Sequence, residues 1–183
     1  MLFEQARCDV QTLRAQAQAG EIEVAYVDEA GFAQLPPNRS AWTPQGQQHR
    51  IEAVRGKRLN VMAALLSNGG LFSAHAWCSY TADLFVAFLG LLRQHVGKPL
   101  TVILDNARIH TALDIQPHLK LLQDQGVTLY FLSPYSPELN RIEKLWYLMK
   151  HRWLALKRRD VQELERDVCH ILDNFGTLYK MAF

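Results

Sequence analysis

Leu100-Thr101-Val102-Ile103-Leu104-Asp105 begins the segment that sets the topology of this chain. Its first five residues are a short, mostly apolar run of the kind buried on both faces of a sheet. Helical spacing follows from about Leu113 to Gln125, Gly126 stops it, and Val127 to Leu132 is a second buried run. A strand, a helical crossover and a strand place the two strands parallel, by the right-handed crossover rule. Asp105 then sits at a carboxyl end, where open α/β sheets bind their ligands.

Upstream, Thr81 to His95 has helical spacing through Leu84, Phe85, Phe88, Leu91 and Leu92, and Gly97-Lys98-Pro99 stops it. Arg58 to Leu66 and Leu71 to Trp77 are β-type runs flanking Ser67-Asn68-Gly69-Gly70, and Asn-Gly between two such runs is a strong hairpin signal. Glu21 to Asp28 alternates like a half-buried strand ending in its aspartate, and Gly31 to Gln48 is a Pro- and Gly-containing excursion around Trp42. Residues 1–20 are sparsely apolar and are expected as a helical arm outside the core, ended by Gly20. Downstream, Ser136 as N-cap and Pro137 at the first helical position begin a long helix with the stripe Leu139, Ile142, Leu145, Trp146, Met149 and Trp153. Asp160 caps a last helix carrying Val161, Leu164, Val168, Ile171 and Leu172. The expected class is α/β, a mixed five-stranded sheet flanked by helices.

With 183 residues the chain is long enough to form one domain that buries roughly two-thirds of its unfolded surface. Its longest apolar runs fall far short of a membrane span of about 20 residues, so no membrane partner is expected. No charged-then-apolar leader is visible, and Cys8, Cys78 and Cys169 are too scattered for a disulfide framework or a zinc site. Both readings fit a cytoplasmic location. A net charge of +2 does not by itself announce a nucleic-acid binder. The distribution says more: Arg141, Lys144, Lys150, Arg152, Lys157, Arg158 and Arg159 stand against one acid, Glu143. This is either a basic surface for DNA or a solvated helix face.

The candidate chemistry lies in three carboxylates. Asp28 and Asp105 close apolar strands and Glu143 lies on the proline-started helix, so the fold can bring them together. Three such acids repel one another and drift toward protonation unless a cation neutralises them. Mg²⁺ prefers oxygen ligands and commonly uses one or two carboxylates plus phosphate oxygens. Two ions about 3.5 to 4 Å apart activate an attacking oxygen and stabilise the departing one at phosphorus. On this reading Asp28 bridges both ions, Asp105 completes one shell and Glu143 the other. Each acid also has a plainer reading: Asp28 capping a turn into Gly31, Asp105 in an Asx-turn, Glu143 paired with Lys144 or Lys150. Asn140, three residues before Glu143, shares its helix face and could orient that carboxylate or a phosphate. His110 is either a contact to phosphate or a leaving oxygen, or a satisfied structural histidine; His49, His75, His95, His118, His151 and His170 lack metal-ligand spacing. Trp42, Trp77, Trp146 and Trp153 are expected mostly in the core, with Trp42 also able to stack on a base.

Tyr26-Val27-Asp28-Glu29, Trp42-Thr43-Pro44-Gln45-Gly46, Asp105-Asn106-Ala107-Arg108-Ile109-His110 and the long run Leu132-Ser133-Pro134-Tyr135-Ser136-Pro137-Glu138-Leu139-Asn140-Arg141-Ile142-Glu143 together resemble the DDE transposases of the mariner-like and bacterial insertion-sequence (630-type) group. The resemblance covers Tyr26 to Trp153. It implies an RNase H-like fold over residues 21–183 and catalytic, metal-binding acids at Asp28, Asp105 and Glu143. It also implies two Mg²⁺ or Mn²⁺ ions, cleavage of double-stranded DNA at element ends, and strand transfer, usually into TA. A homodimer on paired ends is implied too. Asn106, His110, Asn140, Arg141, Lys144 and Trp42 become candidate contacts to DNA or phosphate. Arg141 stands where the family usually has Pro, and 37 residues separate Asp105 from Glu143, slightly more than the family norm. Family members also carry helix-turn-helix modules that recognise the ends, which residues 1–20 cannot supply. The arm is then a linker to, or remnant of, a recognition region that a separate reading frame could encode. Two other functions compete: a non-catalytic remnant that regulates an intact transposase, and a ribonuclease H-type nuclease. The second would want a catalytic Glu on the first helix of the fold, where Thr81 to His95 offers only Asp83.

Overall fold

The computed structural model describes residues 2–37, 42–47, 50–51, 56–134 and 136–181. Tyr135 of the longest motif and His49 lie outside the described residues. The elements are α1 (Leu2–Gln18), β1 (Glu23–Ala33), β2 (Arg58–Leu66), β3 (Leu71–Ala76), α2 (Ala82–Val96), β4 (Leu100–Leu104), α3 (Arg108–Thr111), α4 (Gln116–Asp124), β5 (Val127–Phe131), a 3₁₀ turn (Pro137–Leu139), α5 (Ile142–Leu148), a π-helical segment (Met149–Trp153) and α6 (Val161–Asp173). The strands form one sheet in the order β3-β2-β1-β4-β5. β1–β2 and β2–β3 are antiparallel, whereas β1–β4 and β4–β5 are parallel. This is the expected mixed five-stranded sheet. The Asn-Gly hairpin forms with Gly69 at φ 88°, and Gly97 closes α2 at φ 70° while its N–H bonds to Arg93 O.

Two cores follow from the two-residue period of the strands. Val24, Tyr26, Ala30 and Phe32 of β1 and Ile103 of β4 pack with α1, α5 and α6. Ala25 and Val27 of β1 and Leu100, Val102 and Leu104 of β4 pack with α2 and α4. All five residues of β4 are buried, as expected for a strand covered on both faces.

Three expectations are corrected. β1 does not end at Asp28: its parallel ladder with β4 stops at the Tyr26–Ile103 pair, but its antiparallel ladder with β2 continues to Ala33–Arg58. Asp28 is therefore mid-strand and caps no turn. The first helix is not an arm outside the core, since Ala6 and Val10 are buried and the Tyr130 hydroxyl donates to Asp9 at 2.8 Å. The expected crossover helix is present as α4, with the short α3 preceding it. Finally, Ser136 caps no long helix: Pro137 starts only a 3₁₀ turn, Asn140 is extended (φ −91°, ψ 99°), and α5 begins at Ile142. The proline fixes a local turn, and burial of the Asn140 side chain then outweighs helical continuity.

Candidate active site

Ladder register sets the geometry. Tyr26 lies opposite Ile103 in the last parallel pair; two residues further along β1 comes Asp28, and two residues beyond Ile103, just past the end of β4, comes Asp105. Glu143, in the first turn of α5, approaches from the helix packed on that face. Asp28, Asp105 and Glu143 line one cavity of about 320 Å³, together with Asn106, Ser133, Ser136 and Asn140. The structure thus gathers all three acids around one space. Among the described residues, however, no three His, Cys, Asp or Glu side chains are close enough to hold one ion by themselves.

Asp28 has a strongly perturbed carboxyl. Burial pushes its pKa up to about 7; a backbone hydrogen bond at Glu29 opposes this, the charges of Glu143 and Glu29 add to it, and the Trp146 indole opposes it. Trp146 Nε1 donates to Asp28 Oδ2 at 3.0 Å. Asp105 is shifted the other way: the His110 hydrogen bond holds its pKa down against partial burial, and the Ala107 N–H adds to the effect. That N–H meets Asp105 Oδ1 at 2.9 Å, the bond of the expected Asx-turn.

The other candidates separate. His110 is fully buried, with Nδ1 3.1 Å from Asp105 Oδ1 and Nε2 3.1 Å from Glu29 Oε1. Burial alone would lower its pKa, but the bonds to Asp105 and Glu29 and the Glu29 charge raise it to about 9. A ring so placed does not reach DNA, which corrects its reading as a phosphate contact. Asn140 is also buried, off any helix face shared with Glu143; its Nδ2 donates to Val27 O at 3.2 Å and its Oδ1 has no hydrogen-bond partner. The atom left over is an acceptor, so it suits a hydroxyl or a cation and not a phosphate oxygen. Asn106 lines the cavity and donates to Leu132 O at 2.6 Å. Arg141 sits half-buried with its guanidinium 6.0 Å from the Tyr26 ring, while Lys144 is exposed. Trp42 is wholly exposed, against its expected place in the core and in keeping with its stacking alternative.

The cations between Arg141 and Arg159 form neither one basic stripe nor one solvated face. Arg159 is buried and donates to Asp167 at 2.8 Å, Lys157 pairs with Glu163, and half-buried Lys150 feels the charges of both Asp28 and Glu143. Lys144, Arg152 and Arg158 are exposed.

The model of the DDE superfamily endonuclease family matches residues 23–165, which is most of the chain and includes all three acids. The chain belongs to the DDE superfamily endonucleases. As a DDE superfamily endonuclease it is 29% identical over 131 residues to an uncharacterised 39 kDa protein of insertion element IS630 from Shigella sonnei, covering 70% of this chain and 38% of that protein. It is 41% identical over 59 residues to the uncharacterised protein y4pE/y4sA of Sinorhizobium fredii, covering 32% and 39%. The chain thus spans about two-fifths of the length of these curated relatives. Its fold is that of the Mos1 strand transfer complex (TM-score 0.64, 19% identity, 96% of this chain and 54% of that one) and of the Mos1 paired end complex with Mn (0.64, 18%, 94% and 55%). It also matches the catalytic core domain of BIV integrase (0.52, 18%, 88% and 87%). This DDE endonuclease therefore has the RNase H-like fold. Among its described residues no helix is long and apolar enough to cross a membrane.

Sequence reasoning missed Glu29 and Trp146 as parts of this site, and named Lys150 only as a possible partner of Glu143. Trp146 had a usable signal, three residues after Glu143 and so near it on one helix face. Glu29 had one too: as Asp28's neighbour on a strand it must face the opposite side, where a buried partner is required.

Proposed function

We propose that this chain is the catalytic portion of an insertion-sequence transposase that cuts double-stranded DNA at element ends and joins the cut strands to target DNA. The observation that carries the proposal is the gathering of Asp28, Asp105 and Glu143 around one cavity at the carboxyl end of β4. Membership of the DDE endonucleases and the likeness to Mos1 complexes on transposon ends support it.

The donor set fits a hard divalent cation: Asp28 is half-buried beside other negative charge, which leaves its carboxyl reluctant to ionise until a cation neutralises it. Asp28, Asp105 and Glu143 would hold Mg²⁺ or Mn²⁺, cations that take carboxylate, water and phosphate oxygens as ligands. When bound, such ions activate the attacking oxygen and stabilise the departing one. The chain's own residues then orient and hold. Trp146 fixes Oδ2 of Asp28, the Ala107 N–H fixes Oδ1 of Asp105, and Lys150 offsets part of the negative charge. Asn106, Lys144, Arg141 and exposed Trp42 are the residues offered to DNA. A homodimer on paired ends, a TA target, a separately supplied helix-turn-helix region and a cytoplasmic location complete the reading.

The test supplies the recognition region and element-end DNA with Mg²⁺ or Mn²⁺. Wild-type chain nicks the DNA and Asp105→Ala abolishes nicking; equal cutting by the two would remove Asp105 from catalysis. Preference for an RNA–DNA hybrid over duplex DNA would favour a ribonuclease instead.

A further inference from the structure

We infer that Glu29 and His110 form a brace that fixes the carboxylate of Asp105, so that His110 is a positioning residue of the active site. The inference rests on the reading of Asp105 as a metal-binding acid. Asp105 lies just past β4, where no ladder restrains it, and 59% of its side chain is exposed. Left alone, such a carboxylate samples several rotamers. Here its Oδ1 accepts the Ala107 N–H at 2.9 Å and pairs with His110 Nδ1 at 3.1 Å, a nitrogen that also lies 3.3 Å from the Asp105 backbone carbonyl, while Oδ2 lies outside these contacts. The imidazole cannot swing away. It is fully buried, packs 4.5 Å from the Phe85 ring of α2, and is held at Nε2 by Glu29 Oε1. Nδ1 faces oxygens of Asp105 and Nε2 faces Oε1 of Glu29, and contacts at both nitrogens fix the ring's orientation as outer partners of metal ligands do. Glu29 comes from β1, His110 from α3 and Phe85 from α2. The brace thus anchors one acid of the cavity to the core on the far side of the sheet.

Mn²⁺ affinity of the full chain, measured by titration calorimetry alongside thermal unfolding, tests this. His110→Phe keeps a ring against Phe85 and removes both ring nitrogens; Mn²⁺ affinity should fall roughly tenfold, the lower end for loss of such an outer partner. His110→Asn, with an amide nitrogen near the Nδ1 position, should recover part of the loss, and Glu29→Gln should weaken binding several-fold. Wild-type affinity in Glu29→Gln and in either folded His110 variant overturns the brace, even if their melting temperatures drop. If His110→Phe fails to fold, His110→Asn and Glu29→Gln decide by the same criterion. Asp105→Ala separates the two ideas: if it binds Mn²⁺ as wild type does, Asp105 is no ligand and the proposed function fails at that residue.

Discussion

Asp28 is the residue at which stability and chemistry pull apart. With its carboxyl raised to about 7, the folded chain without metal holds a proton that the unfolded chain gives up near its ordinary value of 3.8. That group therefore stabilises the fold fully below about pH 4, and the contribution is lost as pH climbs to about 7. Urea midpoints measured with chelator should fall from pH 4.5 to pH 7.5, by an amount on the order of a few kcal/mol, and Asp28→Asn should flatten that slope. Trp146→Phe should cost about 1 kcal/mol, because it drops one hydrogen bond yet keeps the edge contact with Phe32. It should also move the pH transition upward, since the indole is one of the groups holding Asp28 down. Asp28, Asp105 and Glu143 were legible in sequence because each stands beside a patterned element. The partners of those acids were not, because His110 meets Glu29 across 81 positions of chain and only strand adjacency brings them together.

At the scale of elements, the start of α5 decides where Glu143 stands. Asn140 ties the turn before that helix to Val27 of β1, and Ile142 and Leu145 bury its inner face. Asn140→Ala should cost about 1–3 kcal/mol, since it strands a buried carbonyl, and should shift α5 relative to β1. A backbone-amide chemical-shift map centred on residues 140–146 would register the shift; changes confined to residue 140 would refute it. The cap of α6 offers a calibration far from the cavity. Asp160 accepts the Glu163 N–H at 2.7 Å, and Asp160→Ala should cost about 1 kcal/mol without altering metal affinity. The Asp160 cap and the hairpin were readable because their signals are local. The helix start near Pro137 misled because proline and serine favour a helical first turn, while the outcome was settled by an asparagine reaching a distant strand.

The whole molecule is a sheet clamped between two cores, and α1 belongs to one of them. Val10 is buried with Tyr26 and Ile103, and Leu13 and Ala17 pack against the same cluster. Val10→Asp should therefore destabilise the fold by about 2 kcal/mol or more, seen as a lower denaturation midpoint. A free arm would tolerate it. The parallel β4–β5 pair was legible from strand–helix–strand spacing, whereas α1 reads as an arm because its buried positions are few and small. The alternation of β1 carries a consequence of its own. Asp28 and Glu29 are consecutive, yet one serves the cavity and the other the brace on the opposite side of the sheet. Strand β1 thus counts in twos: gaining or losing one residue between Val24 and Asp28 would swap the two acids across the sheet and disarm both faces at once. Change of length is open to the surrounding loops, but within these five positions parity itself is the inherited quantity.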